Sequence, residues 1–175
     1  MLEVVLVDQA DRPIGTMEKL EAHEKGLLHR AFSVFVFNDQ GEMLLQQRAL
    51  SKYHSSGLWS NTCCSHPTPN ESLKEAGEKR LQEEMGFSTP LSPLFAFEYR
   101  VDLDNNLTEH EFDHVFIGQY NGEINPNPTE VMDHKWVSME QLKEQMTQDP
   151  NRFTAWFQII LTEHSHHFQN QNTSK

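Results

Sequence analysis

Between positions 73 and 85 the apolar residues Leu73, Ala76, Gly77, Leu81 and Met85 recur at helical spacing, a pattern that commits this stretch to an amphipathic helix with one buried face. Ser72, with Glu75 three residues on, has the form of a capping box, and Gly86 stands at the C′ stop, so the spacing predicts a helix over 72–85. The helix is rich in carboxylates. Directly before it lies Trp59-Ser60-Asn61-Thr62-Cys63-Cys64-Ser65-His66-Pro67, which sets a thiol two residues from an imidazole. A nucleophile, a metal-ligand type and an acidic helix therefore share one short segment.

Strands are expected at 3–7, 31–37, 43–48, 94–101, 109–120 and 131–137. Asn38-Asp39-Gln40-Gly41 joins the second and third as a hairpin turn. The segment carrying Lys19, His23 and His29 reads as a polar connection. A short helix begins at Ser138 and Pro150 marks a break. Phe153, Trp156, Phe157, Ile160, Leu161 and His164 stripe a final helix, and the tail from Gln169 looks frayed. Clustered strands with irregularly interspersed helices favour an α+β or α/β sandwich around a mixed sheet, folded as a single domain over 1–175.

Fourteen basic against twenty-six acidic side chains give a formal net charge of −12. Such a surface repels phosphate backbones and anionic lipid, so neither nucleic acid nor membrane is expected as a partner. An anionic substrate must then be met by a local basic cluster and by divalent cations. The N-terminus has no basic region followed by a long apolar run, and no stretch is long and apolar enough to span a bilayer, so the expectation is a soluble cytoplasmic protein, monomeric or weakly dimeric. The two cysteines are adjacent, where a disulfide would be strained, and both are expected as free thiols.

The predicted helix also bears a family pattern. Laid over the Nudix box, Gly-x5-Glu-x7-Arg-Glu-apolar-x-Glu-Glu-x-Gly-apolar, the chain matches at Glu71, Leu81, Glu83, Glu84, Gly86 and Phe87. It departs at Ser65 for the opening Gly, Lys79 for Arg, and Arg80 for a Glu that Nudix hydrolases use in their magnesium cluster. With the Thr-Cys-Cys-Ser-His-Pro run, and with Glu18-Lys19, Leu28-His29-Arg30-Ala31-Phe32, Arg48-Ala49-Leu50-Ser51-Lys52, Glu109-His110-Glu111 and Trp156 in family order, the chain resembles the type I isopentenyl diphosphate isomerases, a metal-dependent offshoot of the Nudix fold. The fold this implies is a Nudix-like mixed β-sheet sandwiched between helices.

Glu109 and Glu111 are two apart on an expected strand, so both side chains point to one face roughly 7 Å apart and can reach one cation. The resemblance implies that His23, His29, His66, Glu109 and Glu111 together hold one divalent transition metal. Three imidazoles and two carboxylates suit Zn²⁺, Mn²⁺ or Fe²⁺ better than Ca²⁺. It also implies that Glu84, with a backbone carbonyl at Cys64, holds a Mg²⁺ that touches the substrate diphosphate. Lys19, Arg48, Lys52 and Arg80 match the family's diphosphate-binding positions. Glu83 is the weaker of the two late carboxylates, and Arg80 also has Glu84 at i, i+4 as a helical partner. Cys64 aligns with the catalytic thiol, whereas Cys63 reads as a small packing residue. Tyr99 matches a position beside the acid, and Trp156 one over the substrate, though its place on an apolar stripe suits a core aromatic equally well. His110, His114, His134, His164, His166 and His167 match no ligand position.

The implied reaction moves a double bond, converting isopentenyl diphosphate to dimethylallyl diphosphate, with Glu111 and Tyr99 on one face of the alkene and Cys64 on the other. Two alternatives come from other classes. One is a Nudix pyrophosphohydrolase, against which Arg80 counts; the other is a non-catalytic metal-binding module.

Overall fold

The computed structural model describes residues 2–168, so the tail from Gln169 lies outside the described residues. In chain order the elements are β1 (Glu3–Val7), β2 (Pro13–Glu18), α1 (Lys19–Lys25), β3 (His29–Phe37), β4 (Met43–Arg48), β5 (Trp59–Ser60), β6 (Cys63–Ser65), α2 (Leu73–Met85), β7 (Ser92–Asp102), β8 (Thr108–Gln119), β9 (Val131–Val137), α3 (Met139–Gln148), a 3-10 turn (Pro150–Arg152) and α4 (Ala155–Glu163).

Strand β3 is the spine. It pairs in parallel with β8 from His29↔Glu111 to Phe37↔Gln119, and β8 pairs antiparallel with β7. On the other edge of β3, β6 lies antiparallel at Phe32↔Ser65, Ser33↔Cys64 and Val34↔Cys63. Both faces of β3 are covered, which its sequence states plainly: buried Phe32, Val34 and Val36 belong to one core, Phe35 and Phe37 to another. The first core packs under α2 through Ala76, Leu81 and Met85. The second packs under α3 and α4 through Leu142, Met146, Trp156, Phe157 and Ile160. The result is a mixed nine-stranded sheet between helices, the α+β sandwich expected.

Helix α2 forms as its caps dictate, with Ser72 Oγ accepting the Glu75 N–H and Gly86 stopping it in the left-handed region at φ 76°. At α3, Ser138 and Gln141 form a complete capping box. Phe153 precedes α4, and His164 caps its end.

The structure corrects two expectations. The polar connection before residue 29 contains β2 and α1. Strand β2 is an exposed edge with no alternating burial to betray it, and α1 is seven residues long, held by Glu18 accepting the Leu20 and Glu21 N–H groups and ended by Gly26 at φ 66°. The turn at 38–42 closes as expected, but β3 and β4 pair only at Phe37↔Met43. Beyond it β4 turns away to pair with β9 along its length. Between the diverging strands, β6 pairs with β3 and β5 with β4. Among the described residues, no helix is long and apolar enough to cross a membrane.

Candidate active site

Strand β8 alternates in an unusual sense: its buried positions begin with Glu109, Glu111 and Asp113 and only then become apolar at Val115 and Ile117. The carboxylates thus occupy the face that the rest of the strand gives to core. Register places His29 beside Glu111, α1 brings in His23, and the segment after β6 brings in His66. His29 Nε2 lies 3.2 Å and His66 Nε2 2.8 Å from Glu111 Oε2, and His23 Nε2 lies 3.7 Å from Glu109 Oε2.

The orientation of the rings is informative. His23 Nδ1 is 2.8 Å from the Lys19 carbonyl and His29 Nδ1 2.9 Å from the Leu27 carbonyl. A carbonyl only accepts, so each ring carries a proton on Nδ1 and turns Nε2 inward, where it either donates a proton to a carboxylate or, deprotonated, offers its lone pair to a cation. His29 Nε2 meets a carboxylate oxygen of Glu111, and buried His23 Nε2 has no hydrogen-bond partner. Buried carboxylates call for positive charge beside them, and the donor atoms of His23, His29, His66 and Glu111 all lie within 4.8 Å of one another, close enough to share one ion. The residues fit a divalent metal.

Tyr99 Oη lies 2.5 Å from Glu109 Oε1 and 2.7 Å from Glu111 Oε1, one hydroxyl between two carboxylates. Burial and the like charge of Glu111 push Glu109 up. Burial would raise Glu111 too, but the imidazoles of His66 and His29 outweigh it and hold that carboxyl well below its usual range. Burial, with His29 and His23 adjacent, pushes His66 down to about 4 despite Glu111.

Cys64 lines the same cavity as Tyr99, Glu109 and Glu111. Its thiol donates to Asn61 Oδ1 at 3.1 Å and accepts the Trp156 Nε1–H at 3.1 Å. Asn61 cannot flip, because its amide nitrogen is bonded to the Val34 and Cys63 carbonyls. Behind the sulfur, Ser33 lies 3.8 Å away and donates to buried Asp113. Burial and the Asp113 carboxyl push the Cys64 thiol up, so the nearby cations do not make it a resting thiolate. Cys63 is fully buried within the core under α2.

The basic cluster closes the cleft. Lys19, Arg48, Lys52 and Arg80 line the same cavity as Cys64, Glu111 and Trp156. Burial and the charges of Lys52 and Arg80 lower the Lys19 ammonium. Arg48 sits 5.3 Å over the Trp156 ring, and its Nε is buried without a partner. Such an orphaned donor is a ready contact for an anionic oxygen. Arg80 binds Glu84 at 2.8 Å, and Glu130 bridges Arg80 at 2.9 Å and Lys52 at 2.6 Å. Glu84 is buried and accepts from Gln46 Nε2, whereas Glu83 points outward to Arg80.

The residues given catalytic, diphosphate-binding or metal-ligand positions lie at this cavity or in its donor cluster, whereas Glu83 and Cys63 do not line it. The six excluded histidines do not line it; His110 and His114, on the outer face of β8, bind Glu98 and Asp11. Sequence reasoning missed Tyr53, His54, Ser33, Asn61 and Glu130. Of these, His54 is the most consequential, a buried imidazole in the 49–58 loop whose pKa is pushed down to about 2 by burial, Arg48 and His23. Nothing in its sequence neighbourhood marks it beyond following Lys52-Tyr53.

Comparison with known proteins identifies the family. The NUDIX domain model matches residues 27–157. A Burkholderia multivorans isopentenyl-diphosphate Delta-isomerase is 52% identical over 158 residues, covering 90% of each chain. A Pectobacterium atrosepticum protein of the same description is 51% identical, covering 92% of this chain and 90% of its own. Among solved structures, DR0079 from Deinococcus radiodurans superposes with a TM-score of 0.69 at 19% identity, covering 83% of this chain and 89% of its own, a likeness of fold alone. With a sandwich of this topology, a thiol set against a histidine and carboxylate cluster, and relatives that share half its residues along nine-tenths of its length, the chain belongs to the isopentenyl-diphosphate Delta-isomerases of the Nudix superfamily.

Proposed function

We propose that this chain interconverts isopentenyl and dimethylallyl diphosphate, and that the observation carrying the reading is one cavity lined both by Cys64 and by the Tyr99–Glu111 pair. The shift requires a proton to be added to the terminal carbon of the alkene and another to be removed from C2, so that the π pair moves by one bond. Glu111 with Tyr99 and Cys64 are the two groups that exchange protons with carbon. Because the reaction is reversible, each donates in one direction and accepts in the other. In the resting site the sulfur carries its proton, donated to Asn61, while Glu111 accepts from three neighbours.

An unactivated alkene is a poor base, so the carbocation must be sheltered. Trp156, 3% exposed, offers a ring face worth up to about 2 kcal/mol when desolvated. Lys19, Arg48, Lys52 and Arg80 hold the diphosphate and fix the carbon skeleton between the two proton-transfer groups. Glu84 and the Cys64 carbonyl would hold Mg²⁺ with that diphosphate, and His23, His29, His66, Glu109 and Glu111 would hold one Zn²⁺ or Mn²⁺. When bound, these cations supply the positive charge that the buried carboxylates and the diphosphate otherwise lack.

The assay supplies isopentenyl diphosphate with Mg²⁺ and Mn²⁺ in D₂O and follows dimethylallyl diphosphate, deuterium uptake and phosphate release. Isomerisation without phosphate release is expected. Cys64→Ala and Glu111→Gln should each abolish turnover and retain binding of inorganic diphosphate. Either variant turning over near the parent rate removes that residue from the chemistry, and phosphate release would favour a hydrolase.

A further inference from the structure

Among the described residues, His54 is an imidazole of the cavity that the scheme above does not use. Its ring is 5% exposed, stacks on His23 at 5.7 Å and meets Trp156 edge-on at 5.9 Å. The backbone places it firmly. The His54 carbonyl accepts from Arg48 Nη2, and Ser55, at φ 54°, has its N–H held by Asp104. His54 Nδ1 lies 3.0 Å from Ser55 Oγ, which leaves Nε2 directed at Glu109 Oε2, 4.0 Å away.

The donor atoms of His23, His54 and Glu109 all lie within 4.8 Å of one another, a second group beside that of His23, His29, His66 and Glu111. His23 belongs to both. Its Nδ1 is committed to the Lys19 carbonyl, so it has one inward lone pair and can serve only one cation. The two groups are therefore two halves of a single shell, joined at His23 Nε2, the buried nitrogen without a hydrogen-bond partner.

We propose that His54 Nε2 is a sixth protein donor to the transition ion, entering beside Glu109. The inference rests on the metal centre proposed above. Four imidazole nitrogens and two carboxylates would supply six protein donors to one ion, which would then serve to tether the carboxylates and not to generate a hydrolytic nucleophile. The added nitrogen also moves the preference of the site away from Mg²⁺ and towards later transition ions.

The test uses the full chain, stripped of metal and reloaded with Zn²⁺. Zn²⁺ affinity is read by competition with a chromophoric chelator, and the number of bound imidazoles by X-ray absorption. The parent should bind one ion through four imidazoles. His54→Ala should bind it about 10- to 100-fold more weakly through three. His54→Phe keeps a ring against His23 and Trp156 without a lone pair, and should behave as the alanine variant even if the latter folds poorly. His66→Ala is the reference. If it weakens binding while both His54 variants keep parental affinity and imidazole count, His54 is not a ligand and the metal centre stands. A parent that binds no ion overturns both. A parent that binds Zn²⁺ through four imidazoles yet never isomerises the substrate leaves His54 as a ligand and overturns the proposed reaction.

Discussion

Replacing Gly86 with alanine tests how the C-terminus of α2 is held against the rest of the site. Gly86 adopts φ 76°, and an added Cβ would sit 2.1 Å from the Asn125 carbonyl oxygen. A left-handed conformation costs a non-glycine residue about 1 to 2 kcal/mol. The clash is with backbone and cannot be relieved by a rotamer. Segment 125–127 must move, and with it go two hydrogen bonds, Asn125 N–H to the Met85 carbonyl at 3.0 Å and Asn127 N–H to the Glu84 carbonyl at 2.9 Å. At about 1 kcal/mol each, these bring the expected loss to about 3 to 4 kcal/mol. For a domain of this size that lowers Tm by about 6 to 16 °C. Thermal and urea denaturation followed by circular dichroism read both quantities. Gly15→Ala is the control, because its Cβ would meet only Leu6 Cδ1 at 3.9 Å and its φ is not positive, so its Tm should stay near parental. A Gly86→Ala protein destabilised by less than about 1 kcal/mol would show that segment 125–127 yields freely and that the conformational penalty is absent.

Glu130 neutralises both Lys52 and Arg80, so Glu130→Gln should free them for phosphate oxygens. Discounted for its partial exposure, the pair is worth about 1 kcal/mol, and inorganic diphosphate with Mg²⁺ should bind roughly five-fold tighter by calorimetry. Unchanged or weaker binding would mean that Glu130 holds the cations in place. Stripping bound metal should lower Tm: a transition ion at a hundred times its Kd contributes about 2.7 kcal/mol, or roughly 5 to 11 °C here. Identical melting with and without Mn²⁺ or Zn²⁺ would argue against the donor cluster as a metal centre.

What could be read from the residues was whatever carries a local signal. Helix α2 was legible because its apolar period, Ser72 cap and Gly86 stop agree with one another. Strand β9 was legible to the residue because apolar residues at its two ends and the flanking turn signals bound it. Strand β2 and helix α1 were not, since an exposed edge strand and a two-turn helix bury too little to impose a period. The partners of β3 and β4 were hidden for another reason: pairing with β8 and β9 is non-local, and the intervening turn suggests a simple hairpin. Within the site, Glu109 and Glu111 were visible from strand parity. Resemblance supplied the rest, and so it could not supply His54, whose role follows only from ring contacts that bring position 54 against position 23.

The parallel ladder between β3 and β8 acts as a ruler. His29 faces Glu111 on one side of β3, and four residues on, Ser33 faces Cys64 on the other, a backbone separation of about 13 Å along the strand. Main-chain hydrogen bonding therefore fixes how far apart along β3 the acid-bearing and thiol-bearing positions are anchored, and side chains only trim it. Loops around the mouth are free to drift in length, but inserting a single residue into either strand would swing every second side chain outward and strand the acids in solvent.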